Sequence, residues 1–182
     1  ADRCASMPLV TVSPARYSTS PRLTVTGATS AWACVMLRAI EEAQGIGIYS
    51  LNLMDELLPL DTTTEYVLFH KTPRYLGRYA ALPHVVEKLV PAPGKAAWDQ
   101  IRIPWEARRA GVDLLFHTKF TVPFAFGGKS VMTVHGASWF VHPELYSRIG
   151  IAYIRAVMPL YCRKADLILA NSELTRQDFI RI

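Results

Sequence analysis

The chain has 182 residues, enough for one domain with a full hydrophobic core and little more. With 51% hydrophobic and 19% charged residues it is a globular chain and not a disordered one. The net charge of +5 permits an anionic partner such as a phosphate, a nucleotide or a lipid headgroup, and falls short of a nucleic-acid-binding signature.

Three cysteines, Cys4, Cys34 and Cys162, are too few and too far apart for a disulfide framework or a zinc site, and fit a reducing compartment. No uncharged apolar stretch reaches the ~18–20 residues needed to span a bilayer. Residues 23–37, preceded by Arg16 and Arg22, have the outline of a signal peptide, but their Thr, Ser and Gly make them too weakly apolar to favour that reading.

Residues 1–30 carry scattered Pro, Ser and Thr with no helical stripe and little alternation, the pattern of an unstructured extension. Residues 31–182 read as a single domain. A first strand is expected at 32–37, followed by the glycine pair Gly45 and Gly47 as a loop. A helix follows, with apolar residues at Ile48, Leu51, Leu53, Met54, Leu57 and Leu58 and its stop at Pro59. Strand, glycine loop and helix in that order open a βαβ unit.

Further strands are expected at 65–70 and 84–90. Residues 98–110 read as a helix broken by Pro104, with Trp98, Ile101 and Trp105 on one face and Gly111 as its cap. Strands at 112–116 and 129–134 are separated by a loop rich in Pro and Gly. Residues 144–164 form a long amphipathic helix, and a strand from Asp166 runs into a helix that starts at Asn171 and Ser172. Strands alternating with helices argue for an α/β fold, a Rossmann-like three-layer parallel sheet. The pattern stops inside a helix at Ile182, so the chain is expected to be a piece of something larger.

The strand at 129–134 closes on His135 and Gly136, at the carboxyl end where open α/β sheets collect ligands. His135 could donate a hydrogen bond to a sugar hydroxyl or a charge-bearing oxygen, or could simply satisfy loop backbone groups; the local pattern leaves both open. His117 holds the equivalent end of the preceding strand.

Gly45 and Gly47 could bring a phosphate to a helix N-terminus, although the full G-x-G-x-x-G is absent because position 50 is Ser, and such a pair by itself is commonly a turn. Asn171 and Ser172 follow the last strand, where helix capping is a sufficient role. No histidine spacing suggests a metal, and no Gly-x-Ser-x-Gly supports a hydrolase nucleophile. Arg148, Arg155, Arg163 and Lys164 stud the long helix; such residues can rest on anionic lipid and more commonly form a solvated face.

Four blocks in order resemble glycosyltransferase family 4, in particular its mannosyltransferase-like branch with a Gly-Ile-Gly-x-Tyr loop. They are RAIEEAQGIGIYSLNL at 38–53, DLLFH at 113–117, VMTVHG at 131–136 and ADLILANSE at 165–173. The resemblance implies the N-terminal half of a GT-B glycosyltransferase that transfers a sugar, mannose in that branch, from a nucleotide-sugar donor to a glycan or lipid-linked acceptor. It further implies retention of configuration, no metal and no other cofactor. By position, Gly45 and Gly47 match the donor-phosphate loop and His135 the histidine beside the reacting sugar, the catalytic position. His117, Asn171 and Ser172 are weaker substrate-binding candidates.

The implied setting is cytoplasmic, with peripheral contact at the inner face of a membrane and no nucleic acid partner. Two departures stand out. Met36-Leu37-Arg38 replaces the family's Asp-x-Arg, and nothing before Arg38 resembles the family, as a start site set too early or a shifted frame would produce; peptides from residues 1–30 in the natural protein would refute that explanation. The family's C-terminal donor-binding domain with its Glu-x7-Glu motif is also missing. The 182 residues alone are therefore expected to be inactive. The competing readings are a non-catalytic module that binds glycan or protein, and another GT-B enzyme such as a phosphorylase or epimerase.

Overall fold

The computed structural model describes residues 9–11, 32–36 and 45–181. The signal-like residues 23–31, the family-like residues 38–44 and the expected strand end at Leu37 lie outside them.

Seven strands form one sheet: β1 (Leu9–Thr11), β2 (Trp32–Met36), β3 (Glu65–His70), β4 (Val85–Leu89), β5 (Leu114–His117), β6 (Lys129–Val134) and β7 (Leu167–Ala170). All neighbours are parallel, in the order β1-β7-β6-β5-β2-β3-β4. From β2 the chain builds outward through β3 to β4, then returns to the other side of β2 and builds outward again through β5, β6 and β7. The reversal between β2 and β5 makes this a doubly wound sheet with its switch point there, and Met36 and His117 are paired at its carboxyl edge.

β1 corrects the reading of residues 1–30 as wholly unstructured. Leu9–Thr11 pairs in parallel with residues 168–170 of β7. Three residues are too short for an alternating pattern to show, and the pairing that makes them a strand comes from the far end of the chain.

Successive strand residues face opposite layers, so each strand feeds two cores. On one face, α1 (Gly45–Leu60) packs Met54 and Leu58 against Val35, Leu68, Phe116 and Val131. On the other, Trp98, Ile103 and Ala107 cover Val67, Phe69 and Leu115. Beside them α5 (Arg148–Lys164) and α6 (Glu173–Arg181) cover Met132, Val134, Ile168 and Ala170 with Ile154, Met158 and Phe179. Both faces are buried, which is why these strands read as apolar runs.

The helix expected at 98–110 is present but not broken. A short α2 (Lys95–Ala97) leads into a π turn (Trp98–Arg102) and then α3 (Ile103–Arg109), with the Ile103 N–H donating to the Trp98 carbonyl. Pro104 has no N–H to lose, and the wider turn before it makes room for its ring. The extra residue in that turn rotates the phase. Trp98 is fully buried while Ile101 and Trp105 face outward, so the seam expected from regular spacing is overturned. Gly111, at φ +67°, completes a Schellman cap: its N–H bonds the Arg108 carbonyl and that of Val112 bonds the Ala107 carbonyl.

The loop expected after Gly136 contains α4 (Ser138–Val141) and a 3-10 turn (Pro143–Leu145). The long helix therefore starts at Arg148, where the Ser147 side chain caps it by accepting from the Gly150 N–H.

Candidate functional site

β6 delivers His135 to the carboxyl edge of the sheet, and Gly136 turns the chain away with φ +148°, a conformation that L side chains rarely adopt. The His135 Nε2 lies 2.7 Å from the Thr118 carbonyl oxygen. A carbonyl only accepts, so Nε2 carries the proton and Nδ1 is the free lone pair of the neutral ring. The donor expected of His135 is thus already engaged, and the group it can offer a ligand in the neutral form is an acceptor.

Partial burial pulls its pKa below the ordinary histidine value, the Thr118 bond acts against that shift, and the Lys119 charge adds to it. The ring also meets Tyr49 edge-on, with centroids 4.9 Å apart and planes at 82°. Tyr49 belongs to the first turns of α1, so one contact joins the end of β6 to the start of α1.

Gly45 and Gly47 are not a loop before that helix; they are its first and third residues. The first four N–H groups of a helix have no intrahelical acceptor. Gly45 is exposed, with open space where a Cβ would stand, whereas Gly47 is buried. In the next turn Ser50 bonds back to the Ile46 carbonyl at 2.8 Å.

Asn171 reaches the same place from β7. Its side-chain N–H donates to the His135 carbonyl at 3.3 Å, and its backbone N–H bonds the Val134 carbonyl at 3.2 Å. Its Oδ1 accepts from the Thr175 hydroxyl at 2.9 Å. Ser172 caps α6, accepting from the Thr175 N–H at 3.1 Å. Both side chains are committed within the fold: Asn171 holds the His135 backbone, and Ser172 holds the helix start.

His117 is different. It ends β5 at the switch point, but only 1% of it is exposed and neither ring nitrogen has a hydrogen-bond partner among the described residues. So enclosed, the His117 ring presents neither nitrogen at the surface of the described residues. Burial pushes its pKa down to about 3. Unfolding returns it to an ordinary 6.5. The folded state therefore binds one proton fewer between those values, and stability is full above pH 6.5 and lost as pH falls toward 3. Going from pH 7 to pH 5 should cost roughly 2 kcal/mol through this group alone. Urea unfolding of His117→Leu should show that much less pH dependence than wild type; equal slopes would show that His117 is not responsible.

Pattern reading missed Tyr49 and Thr118 as members of the site. Tyr49 had a visible signal, the tyrosine of the Gly-Ile-Gly-x-Tyr motif; Thr118 acts through its backbone and leaves none. Among the described residues no group of three or more His, Cys, Asp or Glu is placed to hold a metal ion, and no helix is long and apolar enough to cross a membrane.

A doubly wound parallel sheet with a histidine at the carboxyl edge beside the start of the first helix defines a Rossmann-like α/β domain. The family model described as Glycosyltransferase Family 4 matches residues 43–182, well over half of the chain, and the chain belongs to that family. Its fold is that of the N-terminal domain of a GT-B glycosyltransferase. No curated protein and no solved structure gives a significant match.

Proposed function

We propose that this chain forms the acceptor-side domain of a retaining glycosyltransferase that moves a hexose, mannose being the first candidate, from a nucleotide sugar to a glycan or lipid-linked acceptor. The observation that carries the reading is the Tyr49–His135 contact, which sets a neutral imidazole beside the first turns of α1 within a family 4 domain. In this reading the Nδ1 lone pair accepts from a hydroxyl of the transferred sugar. The free N–H groups of the first turn, with Gly45 leaving the backbone open, receive donor phosphate oxygens with the favourable end of the helix dipole. Groups that bind the nucleotide and offset charge on the leaving diphosphate belong to a second domain in this reading, so transfer needs the longer enzyme.

The test is a panel of nucleotide sugars offered to the full-length protein with lipid-linked and free glycan acceptors. Nucleoside diphosphate release with one donor is expected, and NMR of the product should show the anomeric configuration of the donor. Inversion would overturn the retaining mechanism, and glycan binding without turnover would favour a binding module.

A further inference from the structure

The π turn ahead of α3 leaves two large apolar side chains facing outward: Ile101 is 65% and Trp105 46% exposed. Trp105 carries two arginines. The Arg102 guanidinium is 5.1 Å and that of Arg109 4.6 Å from its ring centre. They stand three residues before it and four after it, spacings that share one helix face. Phe124, also exposed, is set beside the π turn, its N–H donating to Gln100 Oε1 at 3.1 Å, and the Arg108 side chain donates to the Ala125 carbonyl.

The charge of this surface is one-sided. Between positions 98 and 112 stand three arginines, Arg102, Arg108 and Arg109, and two acids. Asp99 is buried, and Glu106 is already bonded to Arg102 at 3.3 Å. Arg109 has no ion-pair partner among the described residues. Its place in the fold sets the surface apart from the sugar site. α3 runs back from the carboxyl edge to deliver the chain to the start of parallel β5, so Trp105 and Arg109 lie toward the amino edge. They are also on the sheet face opposite α1, whereas His135 meets Tyr49 of α1 at the carboxyl edge.

We propose that this surface docks an acidic peptide segment of a partner protein, with Ile101 and Trp105 receiving an apolar side chain and Arg102 and Arg109 meeting its carboxylates. Stacking uses the flat face of a guanidinium and leaves its in-plane N–H donors open to carboxylate oxygens. The ring therefore holds both cations in place before the partner arrives, which lowers the entropy cost of binding. Exposed Trp and Arg are the residue types that carry most binding energy between proteins. Charge decides among the occupants. A second copy docked face to face would set arginine against arginine. Three cations fall short of the cluster of roughly four to eight that marks a lipid-binding surface.

The experiment is calorimetric titration of the full-length protein with a short synthetic peptide that has leucines four apart among glutamates, and with the same peptide carrying Gln for every Glu. Binding of the Glu peptide alone, weakening with salt, is expected. Trp105→Ala should lower it about tenfold or more, and Arg109→Gln, an exposed change that leaves circular dichroism unaltered, about threefold to fivefold. Neither variant should change nucleoside diphosphate release, so the docking surface and the sugar site fail separately. Equal binding of both peptides, no binding of the Glu peptide at low salt, or insensitivity to both variants would overturn the proposal. So would flotation with phosphatidylglycerol vesicles that Arg109→Gln abolishes, or a wild-type dimer that Trp105→Ala converts to monomer, since lipid or a second copy would then cover the face.

Discussion

Replacing His135 by Ala in the full-length enzyme is expected to lower kcat by ~10²-fold or more, because a group that bonds the sugar as charge develops acts chiefly in the transition state. Three contacts fix the residue: Nε2 on the Thr118 carbonyl, the ring against Tyr49, and the backbone carbonyl held by Asn171. A loss in kcat with little change in KM is the signature of an interaction made only in the transition state. Asn171→Ala touches no ligand in this arrangement and should cost less, about tenfold, by letting the β6 end drift.

The pH dependence has a definite sign. Burial lowers the His135 pKa, so the neutral, accepting form persists below the ordinary histidine range, and the acid limb of kcat should lie below pH 6.5. An unchanged rate in His135→Ala would reduce the residue to a structural one.

Trp98→Ala should cost about 3–5 kcal/mol of folding stability, a large share of the ~5–15 kcal/mol that a domain has in total. Trp98 is fully buried at the start of the π turn, packed with Val67, Phe69, Ile103 and Leu115. Its Nε1–H donates to the Val90 carbonyl at 2.6 Å, both within the core. Truncation removes the ring and leaves that carbonyl without its donor, so the cavity term and the unpaired polar group add. Urea unfolding followed by far-UV circular dichroism gives the difference, and Trp98→Phe, which keeps an aromatic ring and drops only the hydrogen bond, should lose less than half as much. Equal losses would place the effect in the hydrogen bond and not in packing.

The two expectations differ in how far they could be read from the chain. His135 stands out because a short run of Val, Met and Thr closing on His-Gly is a buried strand meeting its loop, and α/β sheets bind ligands at that edge. The burial of Trp98 is not legible from local spacing. The seam of Trp98, Ile101 and Trp105 assumed an unbroken 3.6-residue period, and the π turn ahead of Pro104 shifts everything after it. Likewise Gly45 and Gly47 were visible as a pair, but whether they form a loop or a first helical turn depends on where the chain leaves β2.

Local chemistry settled most of what the sequence determined alone: buried strands from β-branched apolar runs, the Gly111 cap, the Ser172 N-cap, and the family from four ordered blocks. Each is carried by residues within a few positions of one another, and the physical preferences involved act over that range. Tertiary structure decided the rest. It set β1 beside β7, enclosed His117, tied Asn171 to the His135 carbonyl 36 positions away in the chain, and turned the Nε2 of His135 inward to Thr118. These outcomes depend on which strands become neighbours, and pairing is fixed by the packing of the whole sheet, which no local period encodes.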